Sequence, residues 1–269
     1  MGVLNMTPDS FSDGGKYYQP EAAIQRALAM EQEGAEVLDI GGESTRPGAE
    51  ETSAAEELER ILPVLEGLRG RLKIPVSVDT RRAAVAELAI RAGAEMINDV
   101  SGLKTDARLA EVVAKNDVGL ILMHMRGEPR TMQLGPFARD VMSDVMSGLR
   151  ESVAMARKAG LAKTQIILDP GIGFGKSYAQ NYELIEKLPR LAALGYPLLV
   201  GTSRKGFLGA TLARDGKPAP PEERIWGTAA TVTASILGGA HIVRVHDVTE
   251  MVQVARVADC VANPALRGR

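Results

Sequence analysis

Short apolar runs alternate along the chain with longer segments in which apolar residues recur at helical spacing, and the alternation occurs eight times. The short runs are nearly all apolar, which is typical of strands that are covered on both faces in a parallel sheet. The pattern predicts strands at residues 3–6, 37–40, 76–78, 96–100, 119–123, 165–168, 198–200 and 241–245.

The longer segments between these runs have the pattern of amphipathic helices. Several are followed by glycine, as at Gly34, Gly93 and Gly160, and glycine is common where a helix ends. The predicted helices are residues 21–33, 54–68, 82–92, 106–115, 137–159, 178–193, 222–237 and 247–262. Eight strand–helix units predict a closed (β/α)8 barrel, the TIM barrel of the α/β class, as a single domain over residues 1–269. An open, doubly wound sheet is the alternative.

A polar side chain stands at or near the end of every predicted strand. These residues are Asn5, Asp39, Asp79, Asn98, His124, Asp169, Ser203 to Lys205, and His246. A closed barrel brings all the strand ends to its C-terminal rim, where barrel enzymes have their active sites, whereas an open sheet would scatter half of them. Any one of these residues could be a turn former or a helix N-cap, an interpretation that suits Asp39. The complete ring favours the barrel, with a site at this rim.

The composition is that of an ordinary globular protein, since 45% of the 269 residues are hydrophobic, 25% are charged and the net charge is −2. The interspersed charges form no basic stripe, which argues against nucleic acid as a partner. The single Cys260 cannot form an internal disulfide, and with three histidines it gives no zinc-binding spacing. No signal peptide and no apolar run long enough to span a bilayer is visible. We therefore expect a cytoplasmic protein that has no membrane partner.

Three predicted rim loops contain more glycine, proline and polar residues than a turn needs. Residues 5–15 form a loop with paired glycines and two aspartates that could move over a pocket. Residues 41–48 combine paired glycines, which allow close backbone approach, with Arg46, whose planar fork suits phosphate. Residues 169–176 have three glycines at alternate positions but match neither the dinucleotide-binding nor the P-loop spacing, which disfavours mononucleotide binding.

The loops at the seventh and eighth strands are basic, with Arg204, Lys205, Arg244 and His246. Barrel enzymes frequently bind phosphate between these two loops, so the pattern indicates a phosphorylated substrate.

Hydrogen-bond acceptors stand at the ends of other strands. Asp79, Asn98 and Asp169 suit a flat heterocycle with several N–H donors, because buried polar groups must be matched. Two carboxylates also fit a glycosidase or a metal site. The glycosidase leaves the basic loops unexplained, and a metal cage would need more oxygen ligands than Asp79 and Asp169 supply.

Seven segments, in order along nearly the whole chain, carry a family resemblance. They are LNMTPDSFSDGG at 4–15, DIGGESTRPG at 39–48, SVDT at 77–80, INDV at 97–100, DPGIGFGK at 169–176, SRK at 203–205 and RVHD at 244–247. At these segments the sequence closely resembles the dihydropteroate synthase family, the folate-pathway members of the pterin-binding barrels. Family members generally have additional residues, including a short hairpin, ahead of the first strand, whereas this sequence begins on that strand. The sealing of the barrel floor is therefore left open, but no matched site residue is affected.

The resemblance implies a transferase that condenses 6-hydroxymethyl-7,8-dihydropterin diphosphate with p-aminobenzoate, giving 7,8-dihydropteroate and pyrophosphate, with Mg²⁺ as cofactor. It implies an SN1-like route, in which pyrophosphate leaves a methylene cation that the amine then attacks. It also implies a homodimer, and sulfonamides mimic p-aminobenzoate in this family.

The resemblance further implies a role for individual residues. It places Asp79, Asn98, Asp169 and Lys205 on the pterin, Thr45, Arg46, Arg244 and His246 on the diphosphate, Phe11, Pro47, Phe174, Ser203 and Lys205 on p-aminobenzoate, and Asn5 on the Mg²⁺. Its implied catalytic residues are Asp13, which steadies the cation, with Arg46, Lys205 and His246. His124 is left unassigned.

Two other functions fit parts of this pattern. Related barrels use a similar pterin cradle to present methyl-tetrahydrofolate to a corrinoid protein, and a non-enzymatic pterin-binding protein is the other alternative. The segments around Asp13, Arg46 and Lys205 would serve a leaving group and an amine, so they favour the synthase.

Overall fold

The computed structural model describes residues 1–6, 20–44, 51–128, 130–135, 137–263 and 265. Its strands are β1 (Gly2–Asn5), β2 (Leu38–Gly41), β3 (Val76–Asp79), β4 (Met96–Asp99), β5 (Gly119–Met123), β6 (Ile166–Asp169), β7 (Leu199–Val200) and β8 (Ile242–Val243). All named strand pairs are parallel, with β1 to β6 in one six-stranded sheet in sequential order and β7 paired with β8.

Two backbone bridges join these sheets into a closed barrel. On one side the Leu168 amide donates to the Pro197 carbonyl at 2.9 Å, next to the bridge between Leu168 and Leu198. On the other side the Val3 amide donates to the Val245 carbonyl at 3.0 Å, which connects the eighth strand to the first. The predicted (β/α)8 barrel is therefore confirmed, and the open sheet is wrong.

Helices follow the strands around the outside of the barrel. They are α1 (Pro20–Gln32), α2 (Ala54–Leu68), α3 (Ala83–Arg91), α4 (Arg108–Asn116), α5 (Val141–Lys158), α6 (Tyr178–Glu186), α7 (Leu188–Ala192), α8 (Gly206–Thr211), α9 (Ile225–Leu237) and α10 (Val248–Ala262). Among the residues that the structure describes, none of these helices is long and apolar enough to cross a membrane.

The largest differences from the predicted helices are at three places. The segment predicted as one helix at 178–193 is two, because the chain turns at Lys187 and Pro189 then starts α7 near its N-terminus. The predicted start at residue 137 is too early, because Asp140 caps α5 by accepting a hydrogen bond from the Ser143 amide at 3.0 Å. The six-residue helix α8 was not predicted.

Strand register places the polar residues of the barrel in two successive rows of its interior face. Asp39 on β2 is in register with Ser77 on β3, and Asp79 is in register with Asn98 on β4. Paired residues in neighbouring strands point to the same face, and the apolar residues between them, such as Ile40, point to the other. The polar side chains therefore meet inside the barrel at the carboxyl ends of its strands.

The loop after β6 packs directly on the end of β5. Gly171 has a left-handed backbone with φ of +67°, and a Cβ atom there would come 1.9 Å from the His124 carbonyl oxygen. Glycine is required at this position both by conformation and by close approach.

Gly171→Ala should destabilise the fold more than the same change at Gly70, which has a similar φ of +73° but no atom within 4 Å of an added Cβ. We expect Gly70→Ala to cost about 1–2 kcal/mol, for the left-handed conformation alone. Gly171→Ala should cost about 3 kcal/mol or more, since overpacking against backbone adds to this. Urea unfolding measures both values, and equal losses would contradict the packing described here.

Candidate active site

The guanidinium of Arg244 joins three strands at the mouth of the barrel. Its Nε donates to Asp39 Oδ2 at 2.6 Å and its Nη2 donates to Asp79 Oδ2 at 3.1 Å. Asp39 is completely buried and Asp79 nearly so. Arg244, which the resemblance places on the diphosphate, thus lies against two carboxylates, one on β2 and one on β3.

Asn98 extends this network and leaves acceptors free. Its Nδ2 donates to Asp39 Oδ2 at 3.2 Å. Within the described part of the chain, Asn98 Oδ1, Asp39 Oδ1 and Ser77 Oγ are buried and have no hydrogen-bond partner. A buried polar atom without a partner costs about 1–3 kcal/mol, so the mouth favours a ligand that brings N–H donors.

Burial dominates the electrostatics of the carboxylates. It raises the pKa of Asp79 to about 8, with Asp39 adding to the shift and Arg244 opposing it. Burial likewise raises the pKa of Asp169, against the opposing charge of Lys205. Burial lowers the pKa of Arg244, but Asp39 and Asp79 hold it above its ordinary value, so this guanidinium stays charged. Further N–H donors in the mouth would therefore stabilise the charged form of these carboxylates.

Lys205 and Phe174 lie together beside Asp169. The Lys205 ammonium donates to the Ile172 carbonyl and lies 4.6 Å from the centre of the Phe174 ring. The Asp169 carboxylate accepts from the Gly171 amide at 2.7 Å. Burial lowers the pKa of Lys205 to about 8. A cation, an aromatic face and a carboxylate thus line one wall of the mouth.

Ser203 and His246 connect the ends of β7 and β8. The Ser203 hydroxyl lies 3.0 Å from His246 Nδ1, and it accepts from the His246 backbone amide at 3.2 Å. Arg204, also expected among the basic residues of the rim, instead donates through its Nε to Asp247 Oδ2 at 3.0 Å. Lys205 and His246 therefore form the basic side of the mouth, whereas Arg204 forms an ion pair with Asp247.

Five predicted site residues lie outside the described residues: Phe11, Asp13, Thr45, Arg46 and Pro47.

Two arginines bind the described residues on either side of positions 45–50. Arg82 binds Glu43 with nitrogen–oxygen distances of 3.1 Å and donates to the Thr52 carbonyl at 2.6 Å. Arg81 binds Glu43 at 3.1 Å and Glu51 at 2.9 Å.

Asn5 is the predicted metal ligand, and it lies half-buried at the carboxyl end of β1. In the part of the chain that the structure describes, no group of three or more His, Cys, Asp or Glu side chains could hold a metal ion.

Sequence reasoning missed the roles of Asp39 and Lys176. The sequence leaves Asp39 between a rim residue and a turn former or helix N-cap, although a carboxylate between Leu38 and Ile40 inside an apolar strand is itself a signal of an interior polar contact. Lys176 is only 1% exposed, and its ammonium lies 3.1 Å from Nδ1 of the unassigned His124. No local pattern reveals that pair, since the two residues are 52 positions apart.

Comparison with known proteins agrees with this geometry. The family model described as pterin-binding enzyme matches residues 1–246. A dihydropteroate synthase from Synechocystis is 50% identical over 261 residues, covering 97% of this chain and 89% of the relative.

Solved structures give the same result. The dihydropteroate synthase from Clostridium difficile, crystallised with pteroic acid, has a TM-score of 0.89 and 43% identity, covering 97% of this chain and 95% of that one. The Yersinia pestis dihydropteroate synthase, in a sulfonamide drug complex, has a TM-score of 0.89 and 42% identity, covering 98% and 93%. The chain therefore belongs to the pterin-binding enzymes and, among them, to the dihydropteroate synthase family.

Proposed function

We propose that the chain condenses 6-hydroxymethyl-7,8-dihydropterin diphosphate with p-aminobenzoate to give 7,8-dihydropteroate and pyrophosphate, as a transferase of folate biosynthesis. The observation that carries the proposal is the set of buried acceptors without partners, on Asp39 and Asn98, among the described residues of a mouth that also holds Asp79 and Asp169. A pterin presents N–H donors along one edge and supplies what these atoms lack.

In this proposal the pterin lies between Lys205 and the carboxylate side of the mouth, which is the side that holds Asp39, Asp79 and Asn98. Asp79, Asn98 and Asp169 accept from its N–H edge, and the Lys205 ammonium donates to its ring acceptors. Arg244 orients the cradle, because it fixes Asp79 directly and fixes Asn98 through Asp39. The flat ring is held by groups that are already in place before it binds, which limits the cost of ordering them.

The diphosphate then extends toward the basic side of the mouth. His246, with Thr45 and Arg46 from the loop after β2, would hold it, and Arg244 lies close enough to Asp79 to join both sides. Negative charge grows on the leaving oxygen as the carbon–oxygen bond breaks. Positioned cations stabilise that charge more in the transition state than in the ground state, which is how they accelerate the reaction.

The reaction would proceed in two steps, first loss of pyrophosphate and then attack by the amine. The carbon–oxygen bond breaks, and its electron pair leaves with pyrophosphate. The electron-rich ring stabilises the methylene cation, and Asp13 would add a carboxylate beside it. The amine lone pair of p-aminobenzoate then forms the carbon–nitrogen bond, and the nitrogen loses a proton to solvent. A free cation needs little general-base help with so weak a nucleophile.

The amine would bind between Phe174, Lys205 and Ser203, with Phe11 and Pro47 as further residues of its pocket. The Phe174 ring offers an apolar face, and the Lys205 ammonium lies 4.6 Å from its centre. A benzoate carries both an aromatic ring and a carboxylate, so this pairing of an aromatic face with a cation fits it.

Mg²⁺ is the cofactor that we propose, with Asn5 as its protein ligand. An isolated amide oxygen fits an ion that arrives with the diphosphate, because Mg²⁺ usually keeps several waters and binds through few protein oxygens plus substrate phosphates. When bound, the ion would neutralise charge on the departing pyrophosphate.

The homodimer and the cytoplasmic location stay predictions. The described residues of α9 and α10, two helices that pack together, expose Trp226, Leu237, Val257 and Val261. An apolar surface of this kind fits contact with a second copy of the chain.

The direct test of this function is pyrophosphate release by the purified chain with pterin diphosphate and Mg²⁺, with and without p-aminobenzoate. We expect release to depend on the amine and to be matched by formation of 7,8-dihydropteroate. Binding of pterin without any release would favour a binding protein and contradict the proposal.

Asp39→Asn should lower kcat/KM for the pterin diphosphate by about 10–100-fold, or about 1.4–2.8 kcal/mol, since Arg244 and Asn98 both lose a charged partner. Asp117→Asn is the control, because Asp117 lies at the end of α4, at the opposite face of the barrel. Steady-state kinetics decide between the outcomes, and an Asp39→Asn enzyme with unchanged kcat/KM would remove Asp39 from the site.

The pH profile should follow Lys205, whose pKa is lowered to about 8 by burial. As the pH rises through this value the ammonium loses its proton, so kcat/KM for the pterin diphosphate should fall. Arginine stays protonated, so Lys205→Arg should abolish this alkaline limb, whatever its absolute rate. Asp79 has a pKa in the same range, and Asp79→Asn should keep the limb. A limb that persists in Lys205→Arg and vanishes in Asp79→Asn would assign it to Asp79 instead.

A further inference from the structure

Lys176 is a buried cation that the proposed chemistry does not use. It ends the loop after β6, directly before Ser177 caps α6, and its side chain is among the most deeply buried of the described residues. Its ammonium donates to His124 Nδ1 at 3.1 Å, to the His124 carbonyl at 3.0 Å and to the Phe174 carbonyl at 2.9 Å. The three donors of the ammonium thus have three acceptors.

Burial of the Lys176 charge costs free energy, because the ammonium loses its hydration. Among the described residues no carboxylate forms an ion pair with Lys176, and burial lowers its pKa to about 7. The favourable charges of Asp169 and Asp144 act only at longer range. An apolar side chain would fill this volume without a desolvation penalty, so the charge or its directed hydrogen bonds must serve another purpose.

The first effect of Lys176 is on His124. Because Nδ1 accepts from the ammonium, the ring proton lies on Nε2, which faces Asp144 Oδ2 at 3.5 Å. Burial, reinforced by the charge of Lys176, lowers the pKa of His124 to about 2, so the ring is neutral. His124 therefore acts as a fixed acceptor at the end of β5.

The second effect is on the path of the loop. Three successive carbonyls are each held by a different side chain: Ile172 by Lys205, Gly173 by Gln133 at 2.7 Å, and Phe174 by Lys176 at 2.9 Å. The Phe174 ring is the one that faces the Lys205 ammonium. Lys176 thus sets the backbone from which this ring projects.

We infer that Lys176, held by His124, is a positioning residue for the aromatic amine, because it fixes Phe174 against Lys205. The inference rests on the proposed function, in which Phe174 and Lys205 bind p-aminobenzoate. Lys176 touches neither substrate. Its loss should weaken binding of the amine more than binding of the pterin diphosphate. Asp169 and Lys205 of the pterin site contact this loop, but among the described residues the pterin acceptors on β2, β3 and β4 make no hydrogen bond to it, so most of the pterin site should keep its geometry.

The test is a set of variants assayed for pyrophosphate release against both substrates. Lys176→Met should raise KM for p-aminobenzoate about tenfold or more and change KM for the pterin diphosphate less than about threefold. Lys187→Met is the matched control, since Lys187 is a surface lysine on the same loop–helix unit and pairs with Glu183. It should change neither constant. A Lys176→Met enzyme with both KM values unchanged, or both raised equally, would overturn the inference.

Two variants of His124 keep the inference testable if Lys176→Met does not fold. Asparagine retains an acceptor near the position of Nδ1, whereas glutamine places its polar atoms near Nε2. His124→Asn should therefore stay close to wild type, and His124→Gln should raise KM for p-aminobenzoate about tenfold. The same KM in both variants would contradict a role for the Nδ1 contact.

Hydrogen exchange separates failure of this inference from failure of the proposed function. The Phe174 amide donates to the Gly171 carbonyl at 3.0 Å. Its exchange should accelerate about tenfold or more in His124→Gln relative to His124→Asn, whether or not the chain turns over. A wild-type chain that releases no pyrophosphate would refute the function, and unchanged exchange would refute the positioning role.

Discussion

The contact on which the site depends is the pairing of Arg244 with Asp39 and Asp79. It brings the end of β8 to the ends of β2 and β3, inside the barrel. Breaking a buried ion pair by removing one partner typically costs about 3–5 kcal/mol, because the remaining charge is left without compensation. The closed barrel makes this pairing possible, since an open sheet would not bring β8 next to β1 and so to the strands beyond it.

From this pairing follows a division of the mouth into two sides. The carboxylate side has more acceptors than the protein's own donors satisfy, as the atoms on Asp39, Asn98 and Ser77 show for the described residues. The other side has the Lys205 ammonium and the His246 imidazole with the Phe174 ring. In the function that we propose, a substrate with N–H donors at one end and a diphosphate at the other would match both sides in a single orientation, which would place the bond that breaks next to the basic side.

The sequence predicts most of the architecture because each strand–helix unit carries its own periodic signal. The polar residue at each strand end also reveals the rim, since no other arrangement puts eight such residues in one place. The boundaries at Lys187 and Asp140 depend on local capping, which periodicity does not register. The helix α8 is too short for a periodic signal.

Contacts between distant residues are what the sequence could not supply. No local pattern predicts that Asp39 binds Arg244, because the two residues are 205 positions apart in the sequence. Lys176 looks like the end of a glycine-rich loop until its burial against His124 is known. The roles of Phe11, Asp13, Thr45, Arg46 and Pro47 are implied by the family resemblance.

The central claim is that the free acceptors in the mouth bind the N–H edge of a heterocycle. Calorimetry tests it by comparing the binding affinity of the substrate with that of a modified pterin. The two ligands are the hydroxymethyl-dihydropterin diphosphate and its analogue with oxygen in place of the 2-amino group, which has fewer donors but the same diphosphate. We predict that the analogue binds at least about tenfold more weakly, because buried acceptors are again left unpaired. Equal affinity for the two ligands would contradict it.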